Sequence, residues 1–277
     1  MTFREFWQPL TSIYPEDEAR WIGRVLFEMQ YGLTHADLLM GREENVSDEE
    51  LLRLQRRLLD GEPVQYVVGR TVFCGRPFSL TPAVLIPRPE TEELCRLCKP
   101  DGAQEWRGRV LDIGTGSGCI AVTLAADMPH AEVTAWDISE KVLDVARTNA
   151  INNNVRVDFQ KVDVLGVGRH ETTGLRWDII VSNPPYVCDS ERSQMAAHVL
   201  RHEPWQALFV PDDDPMLFYR AIGSYALLTL TTGGHLLFEV NERHATDTAH
   251  LMLSMGFKGA DVVSDQFGKQ RFVRVCR

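Results

Sequence analysis

The sequence predicts an α/β fold, in which a mostly parallel sheet carries helices on both faces and follows a small helical domain. Three observations predict it. Short apolar runs alternate with helical segments from Arg109 onward, residues 1–70 carry only helical patterns, and turn formers interrupt β-branched residues between these two regions. We therefore expect a helical bundle over residues 1–70, a hairpin connector and linker helix over 71–100, and a sheet-containing domain over 101–277.

Helical periodicity dominates the first 70 residues. In PEDEARWIGRVLFEMQYGL, four apolar residues share one stripe: Ala19, Ile22, Leu26 and Met29. The segment THADLLMG predicts a short helix that ends at Gly41. The segment SDEELLRLQRRLLDG begins with the capping-box pair Ser47 and Glu50 and stops at Gly61. These segments together predict a small helical bundle.

Strands and helices alternate in the rest of the chain. The segments VGRTVFCGRPFSL and AVLIP predict a hairpin-like connector, and a helix begins near Pro89 with acidic residues in its first turn. The predicted strands are 109–114, 132–139, 155–164, 176–183, 234–240, 260–264 and 271–276. The predicted helices are 119–128, 140–153, a segment near 215–231, and 244–257. Sheets built from such units bind ligands beyond the carboxyl ends of their parallel strands.

Composition favours a globular protein whose partner is a protein or a small molecule. The 277 residues include 29 Lys and Arg against 39 Asp and Glu, a net charge of −10, which disfavours nucleic acid as a direct partner. The densest basic cluster, Arg53, Arg56 and Arg57, is interpreted as the solvated face of a helix. No apolar run is long enough to cross a membrane, and the N-terminus lacks a signal-peptide core, so we expect a cytoplasmic protein.

The cysteines do not form a recognisable metal-binding pattern. Cys95 and Cys98 make a single C-x-x-C, and no second pair of Cys or His ligands follows at usable spacing. We therefore expect reduced thiols on or near a helix and no metal site.

A glycine-rich loop follows the first predicted strand of the sheet. Its pattern, D-x-G-x-G-x-G, departs from the dinucleotide fingerprint G-x-G-x-x-G because Cys119 occupies the third glycine position. The acid at its start suits a cationic or zwitterionic ligand better than a pyrophosphate. Asp137 ends the second strand, where a carboxylate can accept hydrogen bonds from ribose hydroxyls, and Asp163 ends the third, within reach of an adenine amino group. The candidate cofactor-binding residues of the loop are Asp112, Gly114, Thr115, Gly116, Ser117 and Gly118. Each glycine or aspartate taken singly also fits an ordinary loop or helix cap.

The fourth strand leads into the segment Asn183-Pro184-Pro185-Tyr186. A proline restricts the residue before it to extended backbone, so Asn183 is held in a preset conformation. Its amide offers one acceptor atom and two donor hydrogens to a planar ligand group. The competing interpretation is a plain strand terminator, since proline stops strands.

The order of glycine loop, ribose acid, third-strand acid and proline loop resembles the class I S-adenosylmethionine-dependent methyltransferases. This resemblance implies a Rossmann-like, mostly parallel seven-stranded sheet, S-adenosyl-L-methionine as cofactor, S-adenosyl-L-homocysteine as product, and Asn183 near the cofactor. N-P-P-Y is typical of enzymes that methylate nitrogen conjugated to a π-system. The implied catalytic residues are Asn183 and Pro184, whose oxygens accept the two N–H groups, and Tyr186, which stacks on the planar group. Pro185 completes the substrate-binding segment.

Further blocks resemble the HemK/PrmC family of release factor N5-glutamine methyltransferases. They are GEPVQYVVG at 61–69, LIPRPETE at 85–92, Glu203-Pro204 and DQFGKQRFV at 265–273. The resemblance implies methylation of the glutamine in the Gly-Gly-Gln motif of class 1 peptide-chain release factors, with the N-terminal helices helping to recognise that protein. Arg88 and Glu90 are expected to buttress the wall near the cofactor, or to form a charge pair at a helix N-terminus. Val164 departs from the aromatic residue that family members often carry after the third-strand acid.

Other functions stay open at this stage. A ribosomal-protein glutamine methyltransferase uses the same core, and a nucleic-acid amino-methyltransferase shares N-P-P-Y, although the acidic composition disfavours it. A non-catalytic module that binds S-adenosylmethionine is a third alternative, disfavoured because the Asn183 to Tyr186 segment is intact.

Overall fold

The computed structural model describes residues 1–42, 46–167, 174 and 176–277. The α-helices are α1 Phe3–Trp7, α2 Glu16–Tyr31, α3 His35–Leu39, α4 Asp48–Leu59, α5 Val64–Val68, α6 Pro89–Cys98, α7 Cys119–Asp127, α8 Glu140–Asn152, α9 Ala197–His202, α10 Leu217–Thr229 and α11 Ala245–Met255. The strands are β1 Arg70–Phe73, β2 Arg76–Ser79, β3 Arg109–Ile113, β4 Glu132–Asp137, β5 Asp158–Lys161, β6 Trp177–Ser182, β7 Val187–Cys188, β8 Phe209–Val210, β9 Leu230–Glu239, β10 Gly259–Ser264 and β11 Gln270–Cys276. Short 3₁₀ helices lie at Gln8–Ser12, Asp189–Gln194, Trp205–Ala207 and Glu242–His244.

The chain forms two compact units that interleave along the sequence. The first comprises residues 1–71, 80–82 and 195–203, and the second comprises residues 72–79, 83–194 and 204–277. The division at residues 70 and 100, drawn from the sequence alone, stays a prediction.

The first unit is helical, with an apolar core of its own. Helix α2 begins after Pro15 and ends at Gly32, whose φ of +70° closes the helix in the left-handed conformation. Phe6 and Phe27 pack edge to face at its centre, with ring centroids 5.3 Å apart. The other fully buried apolar residues of this core are Leu10, Ala19, Leu26, Leu51 and Leu58. Met29, expected on the same stripe as Leu26, is only half-buried.

Arg57 corrects the interpretation of α4 as a helix with a solvated basic face. Its guanidinium makes a two-pronged ion pair with the Glu62 carboxylate, at 2.5 and 2.7 Å, and also donates to the carbonyls of Tyr66 and Val67. Those carbonyls belong to the last turn of α5, where the Gly69 N–H also donates to the Tyr66 carbonyl at 3.2 Å. Arg57 therefore ties α4 to α5, while Arg56 is exposed as expected.

The second unit contains the seven-stranded sheet in the order β10-β11-β9-β6-β3-β4-β5. The pairs β3–β4, β4–β5, β3–β6 and β6–β9 are parallel, and β11 runs antiparallel to both β9 and β10. Apolar clusters cover both faces of the sheet. The predicted α/β fold class is confirmed.

The register of the parallel strands sets the position of the site. Ile113 is paired with Trp136 on one side and with Ser182 on the other, and Ser182 is paired with Phe238. The residues that follow these positions therefore emerge side by side at one edge of the sheet.

The connector ahead of the sheet is a hairpin, as predicted. Strands β1 and β2 form a two-stranded sheet, joined by Cys74 at φ +48° and Gly75 at φ +71°. Two successive positive φ angles are typical of the turn that suits a tight hairpin. Helix α6 begins at Pro89, as the sequence predicts.

Within the described ranges, no helix combines the length and the apolar character needed to cross a bilayer. In the same ranges, no cluster of three or more His, Cys, Asp or Glu side chains is arranged to hold a metal ion. The six cysteines are free thiols.

Candidate active site

The glycine loop between β3 and α7 uses its three glycines for two different purposes. All three have positive φ, at +76° for Gly114, +56° for Gly116 and +80° for Gly118. A Cβ atom added at Gly114 or Gly116 would meet no atom within 4 Å, whereas one at Gly118 would lie 3.1 Å from the Cβ of Ala146. The first two glycines therefore open the backbone to a ligand, and the third lets α7 pack closely on α8.

Hydrogen bonds hold this loop in place. The backbone N–H groups of Gly114 and Thr115 both donate to the carbonyl of Trp136, at 2.9 Å. The fully buried Asn149 side chain donates to the Ser117 carbonyl at 2.9 Å and also bonds both backbone groups of Ser79. The loop is thus fixed by the sheet on one side and by α8 on the other.

A cavity of about 610 Å³ opens at this edge of the sheet, a volume usual for cofactor and small-molecule sites. Most of the residues selected from the sequence line it: Gly114, Thr115, Gly116, Ser117, Asp137, Asp163, Asn183, Pro184 and Pro185. Val164 also lines it.

Asp112 lies beneath the loop and is fully buried. Its Oδ2 accepts hydrogen bonds from the Thr115 hydroxyl at 2.6 Å and from the Ala121 N–H at 3.2 Å. Its Oδ1 has no hydrogen-bond partner among the described residues. Burial raises the pKa of this carboxyl to about 7, with a smaller contribution from the negative charge of Asp137. Asp112 does not line the cavity, so its direct role in this structure is to anchor the loop.

Asp137 is the acid that faces the cavity. Its Oδ2 accepts the Gly116 N–H at 3.1 Å, and its Oδ1 accepts the Ser139 N–H at 3.0 Å. Each carboxylate oxygen keeps further acceptor capacity after these bonds, as two neighbouring hydroxyl groups of a ribose require. Burial raises its pKa, and its backbone hydrogen bonds oppose that shift.

Asp163 follows β5 after one intervening residue. Its Oδ1 accepts the Leu165 N–H at 3.0 Å, which closes the turn that places Val164 and Leu165 on the cavity wall. Its position in the wall agrees with contact to one end of an elongated ligand.

Asn183 belongs to a chain of hydrogen bonds that reaches the next strand. Its Nδ2 donates to Thr91 Oγ1 at 3.2 Å, and the Thr91 hydroxyl donates to Glu239 Oε2 at 2.7 Å. The Tyr186 hydroxyl donates to the other oxygen, Glu239 Oε1, at 3.3 Å. Burial raises the pKa of Tyr186, and the Glu239 carboxylate raises it further, so the phenol stays a neutral donor.

Sequence reasoning missed Thr91 and Glu239. Thr91 lies inside the block LIPRPETE, from which only Arg88 and Glu90 were predicted to contribute to the site. Arg88 does line the cavity, and Glu90 lies in the first turn of α6 with its charge near Glu239. Glu239 ends a strand whose neighbours a single sequence does not reveal.

The residues present fit S-adenosylmethionine. Gly114 and Gly116 leave open space where side chains would fill the cradle, and the cavity holds a carboxylate with spare acceptor capacity. Ser117, which is buried and carries a hydroxyl group, also lines the cavity. These are features of a preformed polar site.

Two family models match the chain. The Methyltransferase small domain matches residues 98–209, and the PrmC N-terminal domain matches residues 6–69. The chain is 41% identical to a protein named release factor glutamine methyltransferase from Bacteroides thetaiotaomicron, across 98% of this chain and 97% of that protein. It is 38% identical to a protein of the same name from Flavobacterium psychrophilum, across 98% of this chain and 96% of that one.

A methyltransferase from Pyrococcus furiosus has a similar fold. The TM-score is 0.53 at 18% identity, across 80% of this chain and 96% of that chain. This likeness supports the methyltransferase fold, while the sequence relatives are similar from end to end. The chain belongs to the release factor glutamine methyltransferase family.

Proposed function

We propose that this protein transfers a methyl group from S-adenosylmethionine to N5 of the glutamine in the Gly-Gly-Gln motif of a class 1 peptide-chain release factor. The observation that carries the proposal is the orientation of the Asn183 amide. Its Nδ2 donates one of its two hydrogens to Thr91, and Asn183 lines the cavity, so its Oδ1 can accept from a ligand group there. An acceptor at this position suits a substrate –NH₂ group.

The cofactor supplies a methyl group made electrophilic by an adjacent sulfonium. The chain's task is to hold a poor nucleophile in line, because the amide lone pair of glutamine is delocalised. Asn183 Oδ1 and the Pro184 carbonyl each accept one N–H of the substrate amide, which leaves the nitrogen facing the methyl group. The same two oxygens stabilise the positive charge that develops on nitrogen. No strong general base is needed, because the nitrogen becomes acidic as it is methylated.

The remaining site residues have supporting roles in this proposal. The loop residues 114–117 and Asp137 hold the cofactor, with the Asp137 carboxylate accepting from the ribose hydroxyls and Asp163 accepting from the adenine amino group. Gly118, predicted from the sequence to bind the cofactor, does not line the cavity and instead lets α7 pack on α8. Asp112 acts from beneath, through Thr115. Pro185 and the Tyr186 ring bound the planar substrate group.

The protein substrate is proposed to be recognised partly by the N-terminal helical residues 1–70. Support comes from the PrmC N-terminal domain match over residues 6–69, which relates this segment to the family and not to methyltransferases in general. The net charge of −10 favours a protein substrate over an RNA.

The test is a competition among substrates. The protein is incubated with methyl-labelled S-adenosylmethionine and purified release factor, ribosomal protein or RNA, and the labelled residue is located by mass spectrometry. We expect label only on the glutamine of Gly-Gly-Gln. A release factor in which that glutamine is replaced by asparagine is the matched control and should take up no label. Label on a ribosomal-protein glutamine or on RNA would overturn the proposal.

A further inference from the structure

The sheet places a buried carboxylate beside the substrate-binding asparagine. Strands β6 and β9 are parallel, and Ser182 is paired with Phe238, so Asn183 and Glu239 are the next residues on adjacent strands. Glu239 is 1% exposed. Burying a carboxylate costs free energy unless the group is hydrogen-bonded, so the partners of Glu239 matter.

The hydrogen bonds of Glu239 have a fixed direction. Both of its oxygens accept, one from the Thr91 hydroxyl and the other from the Tyr186 hydroxyl. A threonine hydroxyl has one hydrogen and two lone pairs. Because Thr91 gives its hydrogen to the carboxylate, it presents a lone pair to Asn183 and can bond only to the amide –NH₂. If the Asn183 amide were rotated by 180°, its oxygen would face the Thr91 oxygen, and neither atom could donate a hydrogen to the other.

We propose that Glu239 and Thr91 are positioning residues, which fix the Asn183 amide so that its oxygen and not its –NH₂ faces the substrate nitrogen. The inference rests on the proposed function, since only an –NH₂ substrate needs an acceptor there. With the amide reversed, two donors would face each other and the glutamine would lose one of its two holding bonds. Glu239 also accepts a hydrogen bond from the Tyr186 hydroxyl, and Tyr186 lies outside the cavity lining.

A purely structural role for the pair makes a different prediction. Thr91 and Glu239 join α6 to β9, so their removal could simply loosen the fold. A loosened fold would weaken cofactor binding and thermal stability together with turnover. A misdirected amide would lower kcat while it left the cofactor site, built on β3 and β4, unchanged.

The primary experiment compares Thr91→Val with Thr91→Ser. Valine keeps the shape and removes the hydroxyl, whereas serine keeps the hydroxyl. For each variant, kcat and KM are measured on the release factor, together with the Kd of S-adenosylhomocysteine by calorimetry and the thermal midpoint. We expect Thr91→Val to lower kcat by roughly 10- to 100-fold, comparable to the loss of an oriented catalytic hydrogen bond. Its KM and the Kd should stay within about threefold, and Thr91→Ser should retain near-normal kcat.

Thr123→Val is the matched control. Thr123 is equally buried in α7, but its hydroxyl has no hydrogen-bond partner among the described residues, and unlike Thr91 it does not line the cavity. The same change of side chain there should leave kcat unaltered. A drop in kcat for both valine variants would assign the effect to packing and overturn the inference.

Glu239→Gln provides a second, independent variant. A glutamine can hold the chain of bonds in either direction, so we expect a smaller loss of kcat, roughly three- to tenfold. If Glu239 acts through Thr91, the double variant with Thr91→Val should have a kcat within about twofold of Thr91→Val alone. Multiplied losses in the double variant, or normal kcat in folded Thr91→Val, would overturn the inference. A wild-type protein that does not methylate glutamine would instead refute the proposed function.

Discussion

Asp137 ends β4 and Asn183 follows β6, two strands on either side of β3, but the two residues are proposed to bind different ligands. Asn183→Ala removes the acceptor for the substrate amide, so turnover should fall by at least about 100-fold, while the Kd of S-adenosylhomocysteine changes by less than about threefold. Asp137→Ala removes the acceptor for the ribose hydroxyls and should raise that Kd by roughly tenfold or more. Calorimetry and single-turnover assays measure the two effects separately.

The opposite pattern would contradict these assignments. Near-normal turnover in Asn183→Ala would refute the amide-holding mechanism. Asp137→Asn keeps one acceptor oxygen and is the milder substitution. Its Kd for S-adenosylhomocysteine should lie between the values for the wild type and Asp137→Ala.

Asp112 predicts a specific dependence of stability on pH. Its pKa is about 7 in the folded protein because of burial, against about 4 for an unfolded aspartate. Between these values the folded state binds the extra proton, so the free energy of unfolding falls as pH rises through this window. Most of the loss from this residue falls between pH 5.5 and its pKa of about 7, and at 1.36 kcal/mol per pH unit it amounts to about 2 kcal/mol by pH 8. Urea unfolding of the ligand-free protein at both pH values measures it.

The comparison with Asp112→Asn isolates this residue from other acids. Asp137 and Glu239 also have raised pKa values and change stability in the same direction. The difference in the free energy of unfolding between pH 5.5 and 8 should therefore be smaller in Asp112→Asn than in the wild type, but not zero. An unchanged difference would show that Asp112 keeps an ordinary pKa.

The residues predictable from sequence are those whose role is local. The glycine spacing and the proline after Asn183 constrain their own backbone, so the pattern itself carries the information. Thr91 lies 92 positions from Asn183, and Glu239 lies 53 positions from Tyr186. Their meeting depends on strand order, which no local pattern encodes.

At the scale of elements, the glycine loop predicts two separable effects of adding a methyl group. Gly118→Ala meets both the left-handed backbone and the Ala146 side chain at 3.1 Å, so it should destabilise the protein by about 2–4 kcal/mol. Gly114→Ala, the matched control, has the same backbone penalty without the collision, and should cost about 1–2 kcal/mol. Urea unfolding gives both values.

Cofactor affinity should respond to the two substitutions in the opposite order, with the larger effect in Gly114→Ala. The added Cβ of Gly114→Ala enters the cavity. The Kd of S-adenosylhomocysteine should therefore rise more in Gly114→Ala than in Gly118→Ala, although Gly114→Ala loses less stability. Equal stability losses in the two variants would show that α7 and α8 are not packed as closely as the structure has them.

Elements with strong periodicity were predictable, and short ones were not. The strands and helices from β3 to β11 follow the predicted alternation, except for β7, β8 and α9. Strands of two residues, such as Val187–Cys188, are too short to show alternation. Arg57 illustrates a different failure, because its carbonyl partners lie on α5, a five-residue helix that was not predicted.

At the scale of the whole molecule, each unit has its own apolar core, and the cavity lining belongs entirely to the second unit. Ligand binding slows amide exchange chiefly where it closes local openings. S-adenosylhomocysteine should therefore protect the strand-end segments 113–117, 137–139 and 162–165 in hydrogen-exchange mass spectrometry. Peptides from residues 1–42 and 46–71 should exchange at the same rate with and without the ligand.

Asp137→Ala serves as the control, because it should lose the protection at all three segments at the same ligand concentration. The release factor should give the complementary result if residues 1–70 recognise it, with protection in the N-terminal helices. That protection should persist in Asp137→Ala, because protein recognition does not require the cofactor in this proposal. Protection of the N-terminal peptides by S-adenosylhomocysteine alone would show instead that cofactor binding and substrate recognition are coupled through the protein.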